Sequence, residues 1–276
     1  MRNVAIVIKR ALVVGLILAF AGAAQAGIIT LSDGGSTVVI DPDSSAGVKQ
    51  WMVGGVNHLA QQWFWFRTDL EGVNAQEYSI DQISAPVVSQ PAPNFANITY
   101  TDAQNRFKVS VTYALVGAHG CADLAEIISF TNTSAAPITL DFFQYSDFDL
   151  AGTMNDGKVQ IVGGNQAWQY DTAQINELNV TETVVNGSPD RSEVGIWPST
   201  LTKLTDGVPD DLDNTALLVD TKNLTWTFQW QDRVLQPGRS LLISKDKWIQ
   251  YDAPVPEPAG LGLIGLVLLA LRKRRS

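Results

Sequence analysis

Apolar and polar positions alternate with period two through most of this chain, and turn-forming residues interrupt the alternation every ten or so positions. In "NLTWTFQWQ", Trp226, Phe228 and Trp230 alternate with Thr225, Thr227, Gln229 and Gln231, which predicts a half-buried strand with an aromatic inner face. "NITYTDAQNRFKVSVTYALVG" predicts a hairpin, with strands near Ile98–Thr101 and Phe107–Leu115 around a turn at Asp102–Asn105. "LAEIISFTNTSAAPITLDFFQYSDFDL" predicts another, with strands near Ala125–Thr131 and Ile138–Leu150 joined through Asn132–Pro137. Asp33-Gly34-Gly35 separates two early strands, and Pro237-Gly238 precedes a final strand at Leu241–Ser244.

Helix signals are thin. Pro198–Gly207 predicts one short helix, with proline near its start and glycine past its end, and Thr172–Asn179 is a weaker candidate. The Pro-rich stretch Ala85–Asn94 reads as a loop or a crossover between sheets. No period of 20–50 residues is visible, so a repeat solenoid is not expected. The expected fold is all-β: an antiparallel β-sandwich, enlarged to many strands.

The two ends follow other rules. Arg2, Lys9 and Arg10 precede an apolar run from Ala11 to Ala23, and Ala24-Gln25-Ala26 forms an A-x-A cleavage site. Residues 1–26 therefore read as a signal peptide, cut by signal peptidase after delivery to the secretion translocon, with Gly27 as the mature start. At the other end Val255 leads into Pro256-Glu257-Pro258, then the uncharged run Ala259–Leu271, then Arg272, Lys273, Arg274 and Arg275. Thirteen helical residues span about 20 Å, short of the roughly 30 Å hydrocarbon core. The prolines hold the preceding stretch extended, and the basic block is retained on the cytoplasmic side. The division is thus 1–26 signal peptide, 27–254 β-sandwich body and 255–276 sorting signal with a single transmembrane helix and basic tail.

The tail resembles a PEP-CTERM sorting signal in the order and spacing of those three parts. The resemblance implies a bacterial protein exported by general secretion. It also implies an exosortase as partner, processing at the inner membrane, and a destination in the cell envelope or extracellular matrix. Such bacteria typically make exopolysaccharide. "QWFWFR" (Gln62–Arg67), "FFQYSDFDL" (Phe142–Leu150) and "WTFQWQ…LQPGRSLLISKDK" (Trp226–Lys247) resemble an uncharacterised group of exported PEP-CTERM proteins. That likeness implies a shared β body and supplies no activity.

Charge narrows the partners. The chain has 19 basic and 28 acidic residues; three basic residues precede Gly27, and four basic and one acidic follow Val255. That leaves 12 against 27, a net charge of −15 for the body. Such a balance argues against nucleic acid and against anionic lipid, and suits an exported protein or one that collects divalent cations. With Cys121 as the only cysteine there is no intramolecular disulfide.

Candidate chemistry is sparse. His119 and Cys121 sit two apart in a Gly-flanked turn and read better as a lone loop thiol than as a nucleophile pair; His58 is the other histidine. No G-x-S-x-G, H-E-x-x-H or paired-cysteine motif occurs, so no catalytic residue and no zinc site is assigned. Asp206, Asp210, Asp211 and Asp213 crowd one loop with hard oxygen ligands, a calcium guess lacking EF-hand spacing. Tyr145, Asp147 and Asp149 share one strand face, with the two carboxylates about 7 Å apart by strand rise, as an acid/base pair, a calcium site or a solvated strand end. Trp63 and Trp65 alternate with Phe64 and Phe66, so either both faces are buried or one is an exposed platform for sugar rings.

These residues lead first to a non-catalytic envelope or matrix protein with a structural or glycan-associated role. The alternative is a secreted carbohydrate-active enzyme using carboxylate catalysis. The tail carries its own test. In a host with an exosortase, the exported protein should lack Arg272–Arg275 by mass spectrometry, and alanines in place of Pro256-Glu257-Pro258 should trap the full-length form in the inner membrane. An intact end at Ser276 on exported material would contradict this.

Overall fold

The computed structural model describes residues 27–71, 75–118, 120–154, 157–171 and 178–251. The expected signal peptide, sorting tail and transmembrane run lie outside these residues, as do His119 and most of the weak helix candidate at Thr172–Asn179. Among the described residues no helix is long and apolar enough to cross a membrane.

Eighteen strands follow one another along the described chain. They begin with β1 (Ile29–Asp33), β2 (Ser36–Asp41), β3 (Gly47–Val53), β4 (Val56–Asn57), β5 (Gln61–Thr68) and β6 (Tyr78–Ser79). Next come β7 (Val87–Ala92), β8 (Phe95–Thr101), β9 (Phe107–Ala118), β10 (Cys121–Asn132), β11 (Ile138–Asp147) and β12 (Gly157–Val162). The last are β13 (Gln166–Tyr170), β14 (Leu178–Asn186), β15 (Arg191–Ile196), β16 (Leu217–Asp220), β17 (Leu224–Leu235) and β18 (Ser240–Tyr251). The one α-helix described, α1, is short, Ser199–Lys203, inside the span its proline and glycine predict.

Two nine-stranded sheets pack face to face. The first runs β1-β2-β3-β5-β11-β17-β15, with β4 on β3 and β6 on β5; the second runs β16-β12-β13-β14-β18-β10-β9-β8-β7. Pairing is antiparallel apart from a short parallel contact between β3 and β5. Gly47 permits that contact. It has a φ of +55°, and a Cβ there would lie 2.2 Å from the Trp63 ring. The enlarged sandwich is therefore present, and Trp226, Phe228 and Trp230 are fully buried on β17 as their alternation predicts.

Three local expectations are corrected. Ala125–Thr131 and Ile138–Leu150 do not form a hairpin. β10 pairs with β9 and β18 in the second sheet, while β11 pairs with β5 and β17 in the first. The chain turns the corner at Asn132, whose side-chain amide donates to the carbonyls of Ala136 and Leu235. The Pro-rich stretch contains the edge strand β7, where Pro91 falls in the irregularity between Ser89 and Ala92 and needs no ladder donor. The last strand runs on to Tyr251, because Lys245 and Lys247 continue the inward phase of Ile243 and Ile249 instead of ending it.

Those two lysines form the centre of the sandwich. Glu126 on β10 stands opposite Lys245 on β18, and Lys247 stands opposite Glu182 on β14. Lys245 Nζ lies 3.1 Å from Glu182 and 2.8 Å from Glu126 Oε2, the second a charge contact whose angle misses a hydrogen bond. Lys247 also pairs with Glu126. All four side chains are buried. The first sheet closes the group from above. The Trp226 indole donates to Glu182 Oε2 at 2.9 Å, Ser146 donates to the same oxygen at 3.1 Å, and Lys245 lies 5.0 Å from the Phe64 ring centre. Burial would raise the Glu182 pKa, but Lys245 and Lys247 outweigh it and hold it low. Lys245 is raised against burial by its two glutamates, whereas burial wins at Lys247 and lowers it.

Lys245→Met would leave two buried carboxylates short of a cation. Its urea midpoint should show a loss of about 3–5 kcal/mol, and wild-type stability in that variant would contradict the arrangement.

Candidate active site

The outer face of the first sheet is built from alternate residues of four adjacent strands. β5 contributes Trp63, Trp65 and Arg67; β11 contributes Asp141, Phe143, Tyr145 and Asp147; β17 contributes Thr225, Thr227 and Gln229; β15 contributes Glu193. The apolar members lie in the middle, and both faces of β5 are buried: Trp63 and Trp65 are no more exposed than Phe64 and Phe66. Of the two alternatives read from the sequence, burial of both faces holds and the exposed sugar platform does not.

The segment 198–213, including α1, is strapped across this face by polar contacts. Thr200 and Thr225 share a 2.7 Å hydrogen bond, Lys203 reaches Glu193 at 2.8 Å, and the Leu212 N–H donates to Gln229 Oε1 at 2.9 Å. At one end the strap stops short of the sheet and leaves a cavity of about 330 Å³, lined by Arg67, Thr68, Asp69, Thr139, Asp141 and Asp211 among others. That volume is at the lower end of the range of small-molecule sites.

Arg67 organises the cavity wall. Its Nε lies 2.5 Å from Asp141, its Nη2 2.5 Å from Asp211 and its Nη1 2.8 Å from Glu77; its guanidinium carbon is 5.6 Å from the Phe143 ring centre. Asp141 is its direct cross-strand partner, while Asp211 arrives from the strap and Glu77 from the segment before β6. One cation thus faces three carboxylates. Burial would raise Asp211, but hydrogen bonds from Gln229 and Arg67 hold it below the usual carboxylate range. At Glu77 burial prevails over the share of Arg67 it receives, and its pKa is pushed up to about 7. The cluster therefore combines a carboxylate held ionised with one whose pKa is pushed up towards neutrality.

The residues singled out from sequence fall in several places. Asp211 joins the Arg67 cluster. Asp210 contributes backbone only, donating its N–H to Glu77 and accepting from Arg67 through its carbonyl. Asp213 pairs with Lys203, and Asp206 accepts from the Val208 N–H. The four are not brought together around one point, and among the described residues no group of three or more His, Cys, Asp or Glu is clustered as a metal site. His58 is buried with both ring nitrogens engaged, Nδ1 accepting from the Ala151 N–H and Nε2 meeting the Val53 carbonyl, and burial lowers its pKa. Cys121 is a free, half-buried thiol at the start of β10.

Asp147 and Asp149 do not share a strand face, because β11 ends at Asp147 and Phe148 turns inward to stack on Trp226 at 5.2 Å. Asp147 remains beside Tyr145, whose hydroxyl donates to it at 3.2 Å. Burial, followed by the charge of Asp149, pushes the Asp147 pKa up to about 7, and burial raises Asp149 as well. Asp147 is six residues along β11 from Asp141, about 20 Å at 3.3–3.4 Å per residue, so it is not part of the cavity.

Arg67, Glu77 and Asp141 were missed in the sequence. Their only local signal is a charged residue in phase with the aromatic outer face of β5, and a matching acid in phase on β11.

No family model and no curated protein matches this chain. Solved structures do. A bacterial glucoamylase complexed with acarbose aligns with a TM-score of 0.58 at 10% identity, covering 84% of this chain and 33% of that one. A galactose mutarotase related enzyme from Lactobacillus acidophilus gives 0.52 at 9% identity, with 82% and 97% covered. A galactose mutarotase-like protein from Clostridium acetobutylicum gives 0.52 at 10% identity, with 80% and 94% covered. The chain spans about a third of the glucoamylase and nearly all of the two mutarotase-like proteins. At these identities the likeness establishes a galactose mutarotase-like β-sandwich and carries no residue roles. It corrects the reading of a non-catalytic role, because this architecture is shared with carbohydrate-active enzymes and fits the carboxylate-enzyme alternative.

The raised pKa of Asp147 has a measurable sign. A carboxyl raised on folding binds its proton more tightly in the native state, so its stabilisation is full below about pH 4 and is lost as pH rises through about 7. Between pH 5 and 8, denaturant unfolding should show Asp147→Asn losing less stability than wild type, by up to a few kcal/mol. His58 contributes with the opposite sign in both proteins and cancels. Equal pH slopes would contradict the burial-driven shift.

Proposed function

We propose that the protein is a carbohydrate-active enzyme that moves protons at the anomeric centre of a sugar bound in the Arg67 cavity. The observation that carries this reading is the cavity itself: a small-molecule-sized opening whose wall holds Arg67 between Asp141 and Asp211. The fold supports it, since mutarotase-like proteins are covered almost end to end by the same sandwich.

The chemistry follows from the charges. Interconverting the anomers of a reducing sugar needs a base to take the proton from the C1 hydroxyl and an acid to protonate the ring oxygen. The C1–O5 bond then opens to the aldehyde and recloses on the other face, with both protons returned. Asp211, held ionised, is suited to accept. Glu77, whose carboxyl burial pushes up to about 7, pairs with Arg67 as a proton store, and Arg67 anchors sugar hydroxyls while neutralising the acids. Thr139 lines the same wall.

Polarimetry or saturation-transfer NMR on a panel of free aldoses should detect catalysed anomer exchange by the full chain. Asp211→Asn should lower the rate by about 10²-fold or more. If no aldose in the panel is exchanged faster than by buffer, or if Asp211→Asn matches wild type, this assignment is wrong.

A further inference from the structure

The outer face of the second sheet, on the opposite side of the sandwich from the cavity, has no strap across it among the described residues. One register row crosses it without interruption. Gln160 on β12 pairs with Trp168 on β13, Trp168 with Thr181 on β14, Thr181 with Trp248 on β18, and Trp248 with Asp123 on β10. Trp168 and Trp248 are 37% and 41% exposed, whereas the aromatic residues of the β5 and β17 cores are buried. Neither indole N–H makes a hydrogen bond among the described residues. Side chains on a strand stand roughly perpendicular to the sheet, so the two indoles rise from one plane. They are two strands apart, about 10 Å, with the short Thr181 between them.

We propose that this face binds a neutral glycan chain lying across the strands, with alternate sugar rings against Trp168 and Trp248. The spacing matches the advance of two pyranose rings in an extended chain. Each indole presents an apolar face to sugar C–H groups and an N–H to a hydroxyl. Thr181 and Gln160 supply hydroxyl and amide groups along the same row. Charge selects the class of polymer. Asp123 beside Trp248, and Asp246 on the neighbouring position of β18, have no cationic partner among the described residues. Burial and then Asp246 raise the Asp123 pKa, as expected for two acids sharing a site. Such acids accept hydrogen bonds from neutral hydroxyls and repel uronate or sulfate groups. The row continues to the exposed Leu217 beyond Gln160 and the exposed Val116 beyond Asp123, but Thr181, Gln160 and Asp123 interrupt these apolar side chains one by one, so they do not join along the row into the apolar centre of a protein interface.

The inference does not depend on the Arg67 cavity being catalytic. The test is affinity electrophoresis of the full chain in gels containing hydroxyethyl cellulose, galactomannan or dextran, with alginate as the anionic polymer. At least one neutral polymer should retard wild type, and alginate should not. Trp168→Ala and Trp248→Ala should each weaken retardation about tenfold, and the double variant should run as in a polymer-free gel. Both side chains are on the surface, so melting temperatures should stay near wild type. Thr181→Arg, which plants a long cation between the indoles, should also abolish retardation. Asp211→Asn, in the cavity, should bind as wild type. No retardation by any neutral polymer, equal retardation by alginate, or full retardation of a folded double variant would overturn the proposal.

Discussion

Four ionisable side chains meet where no water reaches, and the two sheets can close only if those charges complete one another. Glu126, Lys245, Glu182 and Lys247 come from three adjacent strands of the second sheet, set in register so that acids face bases across each ladder. The first sheet contributes three donors, Trp226, Ser146 and Gln144, to a single carboxylate oxygen of Glu182. A slip of one residue in β18 would turn both lysines to solvent and leave the two glutamates buried alone. The stripe therefore specifies register as well as tolerating burial, a role in which an all-aliphatic core would be less selective.

Once the interior is settled, the two outer faces have different fates. The face of the first sheet carries polar groups in its outward phase, and the strap 198–213 meets several of them, from Thr200 on Thr225 to Asp211 on Gln229. Where the strap ends, Arg67 gathers carboxylates from three separate parts of the chain. The resulting cavity is held by rigid strands on one side and by a hydrogen-bonded loop on the other, which places its acids without requiring them to be neighbours in sequence. Among the described residues the second sheet has no such cover, and its outward side chains mix hydroxyls, amides, acids and exposed aliphatic groups with the two indoles.

The fold class was legible because strands whose two faces differ in polarity alternate visibly, as in Trp226–Trp230, although there the polar face is buried as well, under the strap. Reading failed where side chains broke the polarity rule. Lys245 and Lys247 face inward, so the final strand looked as if it ended at Ser244. β10 and β11 looked like a hairpin because alternation along each strand says nothing about which sheet it joins. That choice is made at Asn132 by contacts to Leu235, more than a hundred residues away. The candidate site was legible only in part. Asp211 stood out in an acidic loop, but its chemistry depends on Arg67 and Glu77, which meet it only through tertiary contacts. The Asp147–Asp149 spacing assumed that β11 continued, whereas Phe148 leaves the strand to stack on Trp226.

The central claim is that the opening beside Arg67 is a sugar site. A crystal of the full chain soaked with the free aldose that binds it most tightly tests this directly. The account predicts ring density in the cavity, with sugar hydroxyls within hydrogen-bond distance of Arg67, Asp141 and Asp211. A bound sugar found elsewhere, with that cavity holding only water, would contradict it.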